Sequence, residues 1–143
     1  MVNFILYLWQ LPQILLAGIL FVILKVGGKV KSTQRYEKTR FVITDITSIG
    51  CFSLGPIIFI TYIGFKSHLT VYHELGHSKQ SKILGPLYLL IVGLPSALNN
   101  LISRFSKKWA EGYYKRFPEN WADKLGGVDR PKPIVVGPFV PNS

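Results

Sequence analysis

Acidic side chains are scarce in this chain: Asp and Glu together number 7 against 17 Lys and Arg, which leaves a net charge of +10. Histidine is scarcer still, with three residues, and Cys51 is the only cysteine. A lone cysteine excludes an intrachain disulfide and any cysteine-rich metal site. No Asn-x-Ser/Thr sequon occurs, and both absences suit a reducing compartment. Signatures of a helix-turn-helix, a zinc finger or an aromatic-basic RNA platform are also missing, so the basicity does not indicate nucleic acid. The cations are dispersed among apolar blocks and fit an anionic membrane surface better. With 143 residues the chain fits one compact domain and has no room for a second independent core.

Apolar sequence, by contrast, is abundant: 48% of the chain, gathered in blocks at 4–24, 49–65 and 83–102. The first block holds no Asp, Glu, Lys or Arg over 21 residues, long enough to cross a bilayer as a helix. Trp9, Gln10, Pro12 and Gln13 interrupt it near its start. A buried soluble helix is the competing reading. A cleaved signal peptide fits less well, because no basic residue precedes the run and no small-residue cleavage site follows it. Residues 1–25 are therefore expected to be a transmembrane anchor. Lys25, Lys29, Lys31, Arg35, Lys38 and Arg40 follow it closely, so the positive-inside tendency puts the N-terminus outside and the remainder on the cytoplasmic side of the membrane.

The expected class is a mainly α, membrane-associated protein with a small β element: an N-terminal transmembrane helix followed by a minimal core at 26–128. After Gly27-Gly28, residues 29–45 alternate loosely and read as a strand or hairpin. The β-branched block 49–65 reads as a bent strand beside a central helix. That helix is expected to start at Val71 with Thr70 as its cap and to end near Leu84, before Gly85-Pro86. Residues 87–102 form a second helical run interrupted at Gly93-Leu94-Pro95-Ser96, able to act as core, re-entrant segment or membrane hairpin. Residues 104–116 are basic and aromatic and suit an interface. Residues 118–127 read as a short helix with proline at its start and glycines at its stop. The proline-rich stretch 129–143 is expected to be an extended tail.

Within the central helix lies His73-Glu74-Leu75-Gly76-His77. Histidines four apart share one helical face and can bind one metal together. Glu74, one position on from His73, points beside that metal and can take a proton from a water the metal activates. Two surface histidines on an ordinary helix are the bland alternative. It is weakened by Gly76, which costs about 1 kcal/mol inside a helix relative to alanine and suggests close packing there. A catalytic zinc needs a third protein ligand. The downstream carboxylates are Glu111, Glu119, Asp123 and Asp129. Glu119 and Asp123 are four apart on one helix; if Glu119 binds the metal, Asp123 is placed to hydrogen-bond a ligand histidine. A solvated acidic face is their alternative reading, Glu111 is a reserve ligand, and His68 a further one. Gln80 and Ser81 suit packing and capping. Tyr88, Tyr113 and Tyr114 are each candidate oxyanion donors. Ser96 lacks a downstream histidine for a triad, and strand 56–63 could pair with an extended substrate by edge addition.

The paired motifs His73-Glu74-Leu75-Gly76-His77 and Glu119-Asn120-Trp121-Ala122-Asp123 resemble those of the glutamate-type zinc metallopeptidases, the gluzincins. A closer resemblance is to small, mostly uncharacterised bacterial membrane-associated proteins and toxin-like C-terminal domains. It is carried by Ser53-Leu54-Gly55-Pro56, the histidine motif, Gln80-Ser81, Gly85-Pro86-Leu87-Tyr88 and Gly93-Leu94-Pro95-Ser96. The resemblance implies that His73, His77 and Glu119 bind Zn2+, that Glu74 is the catalytic base and that Asp123 supports a ligand. It further implies that 26–128 is a minimal zincin-like core and that the protein is a membrane-associated zinc endopeptidase of a bacterial cell membrane, acting on a peptide or protein substrate near the bilayer. A proteolytic toxin domain and a non-catalytic membrane scaffold or partner protein are the other readings.

Overall fold

Two short, almost wholly apolar strands pair in parallel at the centre of the protein, and their alternation decides what lies on either side. The computed structural model describes residues 2–130; the expected tail beyond Arg130 lies outside the described residues. Strands β1 (Val30–Tyr36), β2 (Thr39–Thr44), β3 (Phe52–Leu54) and β4 (Ile57–Thr61) form one sheet in the order β1-β2-β4-β3. β2 and β4 run parallel, whereas β1 and β3 flank them antiparallel. In the parallel pair Phe41 sits opposite Ile58, Val42 opposite Phe59 and Ile43 opposite Ile60. Because side chains alternate between faces, Phe41, Ile43, Ile58 and Ile60 pack on one side with Phe65, Val71 and Leu75. Val42 and Phe59 pack on the other with Leu54, Ala17 and Leu24.

The helices supply these two covers. α4 (His68–Leu84) brings Val71 and Leu75 to the first face, and α2 (Leu11–Val26) brings Ala17 and Leu24 to the second. Both faces of the parallel pair are thus buried at its centre, which is why Phe41-Val42-Ile43 and Ile57-Ile58-Phe59-Ile60 are unbroken apolar runs.

The first apolar block is not one straight helix. α1 (Val2–Trp9) and α2 meet at a 78° bend around Gln10, whose backbone (φ −102°, ψ 15°) leaves the helical region. Pro12 has no N–H to continue the hydrogen-bond ladder from α1, and it is well tolerated in the first turn of a new helix. No single helix among the described residues is long and apolar enough to cross a membrane; the bent pair qualifies by length and composition only. The bend is fastened to the far end of α4. Gln13 donates to the Ser81 hydroxyl (2.9 Å) and the Gly85 carbonyl (2.7 Å), Ser81 donates to Gln10 (2.9 Å), and the Trp9 indole donates to the Lys82 carbonyl (3.2 Å). A β-carbon on Gly85 would lie 2.1 Å from the Trp9 ring. Only glycine permits that contact.

The remaining elements refine the expected ones. Residues 29–45 do form a hairpin, but block 49–65 is a second hairpin followed by a short helix, α3 (Tyr62–Lys66), and not a bent strand. Gly55 (φ +66°) followed by Pro56 allows a two-residue turn between β3 and β4. The Thr61 hydroxyl caps α3 by accepting from the Gly64 N–H. α4 begins at His68, three residues earlier than Val71, because Ser67 and not Thr70 is the cap: its hydroxyl accepts from the Thr70 N–H. Beyond Leu84 the chain passes through tight turns over Gly85–Leu87 and a wide helical turn over Leu89–Gly93 into α5 (Leu94–Phe105). α6 (Lys107–Glu111) and α7 (Glu119–Gly126) complete the order, with Gly127 in the left-handed region (φ +71°) closing α7.

Phe59 is 1% exposed and touches the side of the sheet that α2 covers. Phe59→Ala is therefore expected to cost about 3–5 kcal/mol of stability, read as a shift in the chemical denaturation midpoint. A loss below 1 kcal/mol would contradict α2 as an integral layer of the core.

Candidate metal centre

α4 and α7 approach until their backbones touch. A β-carbon on Gly76 would sit 1.9 Å from the Ala122 carbonyl oxygen, and one on Gly126 2.1 Å from that of Tyr72. The close packing that Gly76 suggested from sequence is therefore real, and its partner is the helix bearing Glu119 and Asp123. This contact carries the Glu119 side chain to the histidine face of α4.

The three ligand-type atoms converge. Glu119 Oε2 lies 3.0 Å from His73 Nε2 and 3.1 Å from His77 Nε2. All three residues are buried, Glu119 completely. Each histidine is held by its other nitrogen: His73 Nδ1 is 2.6 Å from Asp123 Oδ1, and His77 Nδ1 is 2.7 Å from Gln80 Oε1. The Gln80 amide nitrogen donates to the Pro118 carbonyl (3.0 Å), so its oxygen faces His77 and accepts the Nδ1 proton. Asp123 likewise accepts from His73. With both Nδ1 protons so placed, neutral histidines aim their two Nε2 lone pairs at one carboxylate oxygen, so the contact needs a proton or a metal ion between them. A tetrahedral zinc with ligands at about 2 Å separates its ligand atoms by about 3.3 Å, close to the separations seen here. His73, His77 and Glu119 thus form a buried cluster able to hold a metal ion, with the donor types and spacing of a zincin-type site.

The electrostatics agree. Burial alone would depress His77, but its hydrogen bond with Glu119 and the charges of Glu74 and Glu119 outweigh this and raise its pKa. Burial would raise Glu119, yet its hydrogen bonds with His73 and His77 hold it well below the usual carboxylate range. Glu74 is pushed up, chiefly by burial and against the pull of the two histidines. Its carboxylate accepts from the Ser53 hydroxyl at 2.8 Å and faces the same cleft as His73, His77 and Glu119.

Several residues take places that sequence reasoning did not give them. Gln80 is not merely a packing residue; it supports His77 as Asp123 supports His73. Ser96 donates to Glu119 Oε1 at 2.5 Å, which occupies the oxygen that faces away from the histidines. Ser53 holds Glu74, and Arg130 holds Asp123 through two bonds of 2.6 and 3.0 Å while stacking on Tyr114, whose ring meets His73 edge-on. Tyr88 is withdrawn as an oxyanion donor because its hydroxyl donates to the Ser53 carbonyl (2.9 Å); Tyr113 remains on the cleft wall beside Glu119. The reserve ligands are not brought in: His68 lines a separate cleft with Tyr36 and Phe41, and Glu111 is exposed on α6. Strand 56–63 is not available for edge pairing, since β4 lies between β2 and β3; the sheet edges are β1 and β3. Ser53, Gln80 and Ser96 each carried a hint through their places in Ser53-Leu54-Gly55-Pro56, Gln80-Ser81 and Gly93-Leu94-Pro95-Ser96. Arg130 carried none.

The chain matches no protein-family model, no curated protein and no solved structure. The geometry supports a zincin-type site in general and singles out no particular family.

Gly76→Ala places a methyl where the Ala122 carbonyl now sits. It should lower zinc affinity at least tenfold by separating α7 from α4, measured by competition with a chromogenic chelator. Gly93→Ala, whose β-carbon meets only contacts of 3.7 Å or longer, should leave zinc affinity unchanged.

Proposed function

We propose that this protein is a zinc-dependent peptidase working at a membrane surface. The observation that carries the reading is the convergence of two histidine Nε2 atoms on one buried carboxylate oxygen, with a second buried carboxylate beside them. His73, His77 and Glu119 would hold the zinc. When bound, the ion supplies Lewis acidity, lowering the pKa of water and polarising a carbonyl. Glu74 is the residue placed to take the proton from the attacking water and to return it to the leaving amine. The Ser53 hydroxyl, 2.8 Å from the Glu74 carboxylate, keeps it turned toward the cleft. Asp123 and Gln80 fix the histidine tautomers. Ser96 fixes the carboxylate of Glu119, and Tyr113 is the tyrosine left near the reacting centre.

The membrane setting rests on the surface. Leu15, Ile19, Val22 and Val26 are exposed along α2, and Phe105 at the end of α5 is 85% exposed. No acidic residue occurs in residues 2–36 or 83–110, so the segments that bear this apolar surface are neutral or basic, as an anionic bilayer demands. The cations from Lys25 to Arg40 favour the cytoplasmic face.

Purified protein should contain near one zinc per chain. His77→Ala should lose the metal, whereas Glu74→Gln should keep it and lose hydrolysis by 1000-fold or more. Unchanged cellular function in Glu74→Gln, with hydrolysis lost, would favour a scaffold over an enzyme, and equal harm by wild type and Glu74→Gln to a neighbouring cell would exclude proteolysis as a toxin mechanism. In co-sedimentation, vesicles containing phosphatidylglycerol should bind the protein more tightly than pure phosphatidylcholine vesicles. Equal binding to both would count against the electrostatic part of this setting.

A further inference from the structure

The cleft over the metal cluster has a floor and walls of opposite character. Its volume is about 920 Å³, at the upper end of what small-molecule sites enclose. His73, Glu74, His77 and Glu119 lie at the bottom. From there it runs out between Leu16, Ile19 and Ile23 of α2 and Leu94, Ala97 and Leu101 of α5. The five large side chains among these six are all classed as exposed, with 45–61% of their surface open. They form an unfilled apolar channel. A polar chain passing through would lose water and gain no hydrogen bonds from these walls, whereas apolar side chains would gain about 25 cal/mol per Å² buried.

Two features narrow the occupant further. β3, with Phe52, Ser53 and Leu54, also lines the cleft and is an edge strand of the sheet; its Ser53 carbonyl is bonded to Tyr88, so the outward Ser53 N–H is the main-chain group it offers beside the apolar side chains. That suits a polypeptide and is wasted on an acyl chain. Arg104 is the one cation among the lining residues. Its guanidinium bonds the Ser48 carbonyl and Asn100 Oδ1, and no carboxylate pairs with it among the described residues. Ser96, bonded to Glu119, marks the metal end of α5. Eight helical residues separate Ser96 from Arg104, about 12 Å, which an extended chain covers in about four residues.

We propose that the cleft binds an extended polypeptide segment of about four apolar residues, followed by an acidic side chain where the segment passes Arg104. This deepens the peptidase reading and rests on it for the position of the scissile bond. Because the walls continue into the apolar surface of α2 and α5, such a segment can reach the metal cluster from the bilayer without crossing water.

The test uses the full chain as zinc-loaded Glu74→Gln in lipid nanodiscs, with empty nanodiscs as the blank. Three fluorescein-labelled decapeptides are compared by anisotropy: a Leu/Ala/Phe block ending in Glu, the same block ending in Lys, and a Ser/Gln block ending in Glu. The first should bind at least tenfold more tightly than either of the others. Arg104→Glu should reverse the order of the first two, and Arg104→Gln, which leaves no charge to misplace, should equalise them at unchanged zinc content. Equal binding of the polar block, or an unaltered order in both Arg104 variants, overturns the proposal. Wild-type turnover of the same peptides is read separately. Selective binding without cleavage leaves the cleft assignment standing and removes the hydrolytic reading, while equal cleavage of all three does the reverse.

Discussion

The metal cluster depends on one backbone contact. Where Gly76 meets Ala122, two helices touch through main-chain atoms, and any side chain at Gly76 would hold them apart. Glutamate has a short reach, so a separation of even an ångström or two would take Glu119 away from both histidines. The helix cost of Gly76, about 1 kcal/mol, is thus offset by a contact that no other residue allows. Gly126 repeats the arrangement one turn on, against Tyr72, so α7 is held at two points and cannot pivot about either.

Such proximity concentrates charge where water is scarce. Glu74, Glu119 and Asp123 are all buried, and buried carboxylates are tolerated only when paired or hydrogen-bonded. Each has its partner from a different element: Ser53 from β3 for Glu74, Ser96 from α5 for Glu119, and Arg130 beyond α7 for Asp123. The polar floor is therefore assembled by the whole fold and not by the histidine helix alone.

Legibility in the sequence followed the range of the interactions. The histidine pair, Glu74 and the Glu119/Asp123 pair are local patterns at helical spacing, and the structure brings all five side chains together as that spacing suggested. The β1–β2 hairpin and the limits of α7 were readable for the same reason. Gln80 was only half legible. Its distance from His77 is local, but its role depends on the Pro118 carbonyl, which orients its amide and is 38 residues away. The hairpin at Gly55-Pro56 was read as a bend because two-sided burial removes the alternation that marks a half-buried strand. The bend at Gln10 had local signs in Pro12 and Gln13. What those signs withheld was the destination of the Gln10 and Gln13 amides, which is fixed only by tertiary contact with Ser81 and Gly85.

That contact bears on how the proposed membrane attachment would be built. In many membrane-tethered proteins a flexible stalk separates the greasy segment from the working domain, and a cut in the stalk sheds the domain intact. Here α2 is at once the apolar segment, one cover of the sheet and one wall of the cleft, and the Gln10–Gln13 bend is bonded into the end of the histidine helix. Clipping the chain anywhere between α1 and β1 would open the core instead of freeing it. On the proposed membrane setting, the segment that meets the bilayer and the wall of the cleft are one piece of protein, which proteolytic release could not separate.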